Sequence, residues 1–215
     1  GIIPTVMPTL LPMFLKTYVK RYPKVKLKIE ELTTDEITNR LQDGYLDGAI
    51  AATPLRIDNI KERVLYYEPF VGYISPNHRL KFKTQIEVSD LDINDMLILE
   101  DGHCLRQGVL NLCKIKKEQE LDNFQLESGS IEMLVKLVNE GMGMTLLPYL
   151  NTLDLKLNEK NNLRFFVNPS PAREVSILHN KNELKIQIID SIHQTISAVI
   201  RGAIKFQDVK IISPK

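Results

Sequence analysis

The sequence has no tryptophan and only two cysteines among its 215 residues. Two cysteines cannot build the disulfide framework that holds small secreted domains together. They point instead to a reducing compartment, where a disulfide is transient and redox-linked, and so to the cytoplasm. An excess of either charge is also missing, since 28 lysines and arginines stand against 27 aspartates and glutamates. A nucleic-acid surface would need a basic face, which so even a mixture does not supply. No apolar run approaches the roughly 18 residues of a membrane span, and no membrane partner is expected. Glycine-rich phosphate loops are absent, as is the Gly-x-Ser-x-Gly elbow of serine hydrolases. No carboxylates read as an acid–base couple; Glu100 and Asp101 are neighbours in a turn. His78, His103, His179 and His193 share no metal spacing with the cysteines, and Cys-x8-Cys is not a zinc pattern. Neither a metal nor a cofactor is expected.

Hydrophobic residues make up 43% of the chain, enough for a real core. The length suits one domain or two small ones. The chain starts at Gly1 rather than methionine. A missing signal peptide therefore carries little meaning, and a further domain upstream is compatible with the sequence.

Both cysteines lie in one stretch, Leu99-Glu100-Asp101-Gly102-His103-Cys104-Leu105-Arg106-Gln107-Gly108-Val109-Leu110-Asn111-Leu112-Cys113. An Asp-Gly turn ends an apolar run, and a helix is predicted to open near Cys104. Cys104 then sits at the positive end of a helix, with His103 and Arg106 close by, a setting that favours the reactive thiolate. Cys113, between leucines and lysines, is expected to be the more buried of the two. The alternative is that both are small apolar core residues.

The elements around this stretch alternate between strands and helices. Ile2-Ile3-Pro4 ends a short strand. A helix follows with Leu11, Phe14, Leu15, Tyr18 and Val19 on one face, and Pro8 and Pro12 fit only before it or in its first turn. Val25, Leu27 and Ile29 alternate with lysines as a half-buried strand. Thr33-Thr34-Asp35-Glu36 is a capping box for a second helix that buries Ile37 and Leu41 and stops at Gly44. Leu46 to Ala51 is a third strand. This order predicts a parallel sheet covered by helices. Val64–Ile74 reads as a long strand broken by Pro69, and Asp95–Leu99 and Phe124–Leu126 as shorter ones. Ser130 caps a helix bearing Ile131, Leu134, Val135 and Val138. Met144–Pro148, Leu163–Val167 and Glu174–His179 are further strands. A last helix, about 183–200, buries Ile186, Ile189, Ile192, Ile196 and Val199. Two such α/β lobes place a ligand cleft between them. Thr5 and Ser130 are candidate cleft hydroxyls, with helix capping as their alternative role.

Three strings carry a family resemblance. Leu46-Asp47-Gly48-Ala49-Ile50, Pro76-Asn77-His78-Arg79-Leu80 and Gly141-Met142-Gly143-Met144-Thr145-Leu146-Leu147-Pro148 resemble the landmarks of LysR-type regulators and keep the family's order. Ile3-Pro4-Thr5 and Leu99-Glu100-Asp101-Gly102-His103-Cys104-Leu105-Arg106 narrow the resemblance to the peroxide-sensing branch. The part covered is the effector-binding domain, and the family's N-terminal winged helix-turn-helix is absent from this chain. The resemblance implies an α/β fold of two Rossmann-like lobes joined by two crossover strands, as in periplasmic binding proteins. Lobe I is then 1–68 plus 173–215, and lobe II is 69–172.

The resemblance also implies a redox switch. Cys104 reacts with hydrogen peroxide, and Cys113 resolves it as a reversible disulfide. Thr5, His103, Arg106, Gln107, Ser130 and Arg173 make the peroxide and thiolate environment. The sequence departs from the family at Gln107, where an acidic residue is frequent, and near Gly129, where a threonine is; Ser128 or Ser130 offers the replacement hydroxyl. Implied partners are hydrogen peroxide, a homodimer or homotetramer, DNA and RNA polymerase through the intact protein, and a thiol reductant such as glutaredoxin or thioredoxin. The expected role is a regulator of transcription, an activator, and not an enzyme. The alternatives are a LysR-type small-molecule effector domain with non-redox cysteines and a thiol peroxidase.

Overall fold

The computed structural model describes residues 1–100, 104–113, 130–204 and 209–212, Cys104 by its backbone. The helices are α1 (Met7–Arg21), α2 (Thr34–Gln42), α3 (Cys104–Leu112), α4 (Ile131–Asn139), α5 (Tyr149–Leu153) and α6 (Ile186–Ala203). The strands are β1 (Ala49–Thr53), β2 (Ile60–Ile74), β3 (Gln85–Ile86), β4 (Met144–Pro148), β5 (Leu163–Phe166), β6 (Ser170–Asn180) and β7 (Val209–Ile211).

β2 organises the molecule because it serves two ladders in turn. Its residues 60–69 run antiparallel to β6. From Phe70 it leaves β6 and runs antiparallel to β4, with β5 on its other side. β1 extends the first ladder antiparallel to β6, while β7 lies parallel to β6 and β3 parallel to β5. The apolar core divides at the same place. Tyr66, Val175, Ile177, Ile189 and Ile196 belong to one buried cluster, with Leu150. Phe70, Leu105, Val109, Leu112, Met144 and Leu146 belong to the next, against which Ile212 also packs. The fold is mixed α/β, as expected, with β2 and β6 as the two long strands between these cores.

Several local expectations hold. Thr33 and Glu36 close a reciprocal capping box at the start of α2, and Ile37 and Leu41 are buried. Ser130 caps α4 by accepting the amide of Met133. Gly141 and Gly143 have positive φ ahead of β4. Gly143 is needed there, because any Cβ would collide with the carbonyl of Asp95.

Others need correction. The opening does not build a parallel sheet: Ile2 makes single parallel bridges to Glu31 and Ile50, and β1 then pairs antiparallel to β6. Residues 25–30 keep their alternation, lysines out and Val25, Leu27 and Ile29 inward, but form no ladder beyond that bridge. Pro69 does not break β2. It pairs with Ala172 at the last rung before the strand changes partners, where its missing amide hydrogen interrupts neither ladder. Pro12 lies inside α1, not in its first turn. It is exposed, so water reaches the carbonyl one turn earlier. The buried face of α1 is Leu10, Phe14 and Tyr18, and Val19 is 51% exposed. In α6, Ile186 is exposed and Ile200 is buried. Asp95–Leu99 is not a strand: the Asp92 carboxylate accepts the Asn94 amide, turns the chain at 93–95, and leaves only a bridge from Met96 to Met144. The expected strand at Phe124–Leu126 lies outside the described residues.

Candidate functional site

Between the two cores β2 carries an acid. Glu68 is fully buried and faces Arg173 across the ladder, itself 3% exposed. Two opposite charges cannot stay unpaired at this burial. The Arg173 Nε donates to Glu68 Oε2 at 2.9 Å, and its Nη2 lies 2.8 Å from the same oxygen. Glu68 Oε1 accepts the amide of Leu150, the second residue of α5, at 2.9 Å. The guanidinium then reaches the chain ahead of α1. Nη1 donates to Thr5 Oγ1 at 2.8 Å and Nη2 to the Thr5 carbonyl at 3.1 Å. Thr5 is itself buried. This network joins residues 68, 150 and 173 of β2, α5 and β6 to residue 5 in the turn ahead of α1.

α3 packs on the same side of β2. Residues 66, 68 and 70 share one face of the strand by its two-residue repeat. A Cβ built on Gly108 would touch the Phe70 ring at 3.9 Å. Position 104 lies one helical turn before Gly108, on the same helix face. Leu105, Val109 and Leu112 are buried in the second core. Arg106 donates from Nη1 to the Leu99 carbonyl at 3.0 Å, which ties the first turn of α3 to the preceding chain.

The two cysteines differ in setting. α3 spans Cys104–Leu112, and the Asp-Gly turn expected before it lies outside the described residues. The Cys113 amide donates to the Val109 carbonyl at 3.1 Å, continuing the helical pattern by one residue. Its half-buried side chain packs against the second core. Burial, and then the carboxylates of Asp95 and Asp92, push the Cys113 thiol up to about 11. Asp95 is held in place by two neighbours: it accepts from Arg79 Nε at 2.8 Å and from His78 Nε2 at 2.9 Å. His78 Nδ1 accepts the Leu80 amide, so the imidazole proton is on Nε2.

A thiol raised to about 11 gives a direct expectation. At pH 8 only about one Cys113 in a thousand is thiolate, the form that alkylates. Iodoacetamide labelling of Cys113, followed by peptide mapping, is therefore expected to rise about tenfold per pH unit between pH 7 and 10. Labelling that levels off near pH 8.5 would show that these carboxylates and this core do not govern the thiol.

Of the residues named from sequence, the structure brings Thr5 and Arg173 together and puts Cys104 and Arg106 in the first turn of α3. Gln107 is exposed and donates to Asn111 along α3. Ser130 is an exposed N-cap. His103, Ser128 and Gly129 lie outside the described residues. Glu68, Leu150 and Tyr66 were missed. The available signal was one acid in the apolar run Tyr66-Tyr67-Glu68-Pro69-Phe70, and one arginine in Pro171-Ala172-Arg173. Among the described residues no cluster of His, Cys, Asp or Glu could hold a metal ion, and no helix is long and apolar enough to cross a membrane.

Residues 1–198 match the family model of the LysR substrate binding domain. A probable hydrogen peroxide-inducible genes activator of Mycobacterium leprae is 32% identical over 177 residues, which cover 82% of this chain and 57% of that protein. The transcriptional regulator EstR of Acinetobacter baylyi is 31% identical over 210 residues, 93% of this chain and 67% of that protein. The chain thus spans little more than half the length of the first relative and two thirds of the second. The crystal structure of OxyR from Porphyromonas gingivalis superposes with a TM-score of 0.88 at 25% identity, over 98% of this chain and 96% of that one.

Proposed function

Since this chain belongs to the LysR substrate-binding domain family, we propose that it is the hydrogen-peroxide-sensing regulatory domain of a transcription activator, switched by a Cys104–Cys113 disulfide. One observation carries the reading. The helix that opens at Cys104 lies on the face of β2 where Glu68, Arg173 and Thr5 form a buried polar site. A relative named as a peroxide-inducible activator and the likeness to an OxyR structure support it.

The chemistry balances without a cofactor. The Cys104 thiolate attacks one peroxide oxygen; the S–O bond forms, the O–O bond breaks, and hydroxide leaves and takes a proton as water. The Cys113 sulfur then displaces the oxygen of the Cys104 sulfenic acid; the S–S bond forms, the S–O bond breaks, and the thiol proton leaves with a second water. Arg106 and His103 favour the thiolate, and Thr5, Arg173, Gln107 and Ser130 supply the polar surroundings. A thiol reductant such as glutaredoxin or thioredoxin reverses the bond by exchange. Each domain reacts once per cycle, as a switch rather than a turnover enzyme. Lobe I comprises 1–68 and 173–215 and lobe II 69–172. The reshaped lobe II changes the arrangement of a homodimer or homotetramer, and through the intact protein its engagement with DNA and RNA polymerase in the cytoplasm.

The test is stoichiometric. One equivalent of peroxide is expected to convert both thiols into a single peptide linked through Cys104 and Cys113, and Cys104→Ser to prevent it. Two free thiols after treatment would end the redox reading. The competing reading, a small-molecule effector domain with inert cysteines, draws on the match to the LysR substrate binding domain over residues 1–198. It requires a ligand response that survives Cys104→Ser with Cys113→Ser.

A further inference from the structure

Tyr66 is a buried polar side chain that the switch leaves unused. It is 6% exposed, and its hydroxyl finds no hydrogen-bond partner among the described residues. A buried hydroxyl without a partner is destabilising, and native cores keep few of them. Its position makes it informative. Tyr66 and Glu68 are two residues apart on one face of β2. Across the ladder they meet Val175 and Arg173, so Tyr66 and Arg173 are diagonal neighbours on that face. The neighbouring groups are already committed. Glu68 Oε1 takes the Leu150 amide, and Oε2 takes Arg173. Thr5 Oγ1 accepts from Arg173, which leaves its own proton to donate. The phenol itself stays neutral: burial, and then Glu68, push its pKa well above the usual range, and Arg173 opposes them only in part.

We propose that the Tyr66 hydroxyl is a peroxide-binding group of the site between the two cores, where it and the Thr5 hydroxyl hold a small hydroxyl ligand, hydrogen peroxide, over the Glu68–Arg173 pair on its way to Cys104. This rests on the peroxide reading above. The chemistry matches on both sides. Peroxide carries a donor and an acceptor at each oxygen. Tyr66 offers one of each, and Thr5 offers a donor.

The experiment compares Tyr66→Phe with the parent chain in three measurements: the rate of Cys104 oxidation by peroxide, the rate of Cys104 alkylation by iodoacetamide, and the melting temperature of the reduced form. Losing one ligand hydrogen bond is expected to slow peroxide oxidation about five- to tenfold. The iodoacetamide rate stays unchanged and the melting temperature does not rise. An unchanged peroxide rate with a raised melting temperature identifies the hydroxyl as a plain buried defect and overturns the proposal. Equal slowing by both reagents assigns the loss to a disturbed Cys104 and overturns it too. A parent chain whose Cys104 does not react with peroxide at all sinks the peroxide reading itself, a result separate from either of these.

Discussion

Replacing Glu68 by alanine is expected to lower stability by about 3–5 kcal/mol, because it strands a guanidinium in the centre of the molecule. The Glu68 and Arg173 side chains are 1% and 4% exposed, so water cannot take over for the lost partner. The same substitution leaves the Leu150 amide without its acceptor and loosens the start of α5. For a chain of this length such a loss corresponds to a melting temperature lower by roughly 6–20 °C. Arg173→Ala is expected to be comparably severe, since it strands the carboxylate. Changing both together, Glu68→Met with Arg173→Met, is expected to recover most of the loss, because two apolar side chains of similar volume leave no buried charge. Urea unfolding of the parent, Glu68→Met, Arg173→Met and the double methionine variant checks this through the coupling energy of that cycle. Additive losses would mean that the pair is solvated in solution and contributes little. Peroxide oxidation of Cys104 separates stability from function: the apolar double variant is expected to fold and to sense poorly, because Thr5 loses the guanidinium that orients it.

The second large effect is the refolding of α3. Cys104 to Cys113 spans nine helical steps, since α3 runs Cys104–Leu112 and the Cys113 amide still bonds to Val109. At about 1.5 Å per residue the two positions are roughly 13.5 Å apart along the axis, and nine turns of about 100° put them on opposite faces. A disulfide needs Cα atoms within about 7 Å. The proposed Cys104–Cys113 bond therefore requires α3 to unwind. Leu105, Val109 and Leu112 leave the second core, and each loses about 1.5–3 kcal/mol unless it is buried again. Unwinding also releases Cys113 from the core and from Asp95, which returns its thiol toward the ordinary range and frees the resolving nucleophile. In the proposed switch the helix thus holds Cys113 inert until Cys104 has reacted. Closing so short a loop restricts the chain at a scale of roughly 3 kcal/mol, so cutting the bond lets the helical form return. Hydrogen exchange on the two redox forms is expected to show the amides of residues 108–113 losing protection by orders of magnitude on oxidation. Equal protection in a chain whose disulfide is confirmed by mass would falsify the refolding mechanism.

Much of the local structure was legible because its causes lie within a few residues. The capping box at Thr33 and Glu36 and the cap at Ser130 are bonds across three positions. The failures involve distant partners. Val25, Leu27 and Ile29 have the alternation of a strand, but alternation reports only which side is buried and not whether a neighbour pairs along it. Pro69 reads as a break when β2 is seen alone. It is tolerated because the strand changes partners there, from Ala172 to Pro148.

The sequence by itself determined the class of molecule: a charge-balanced α/β chain with LysR-type landmarks and one pair of cysteines nine residues apart. These follow from composition, periodicity and short motifs, whose physics is local. Tertiary structure alone decided how the site is assembled. Glu68 and Arg173 are 105 residues apart in the chain, and Arg173 and Thr5 are 168 apart. Their pairing becomes necessary only once β2 and β6 lie side by side and shut out water, because a charge exposed to solvent needs no partner and a buried one does. The same holds for Cys113, whose thiol departs from its ordinary range only when folding sets it against the second core and beside Asp95.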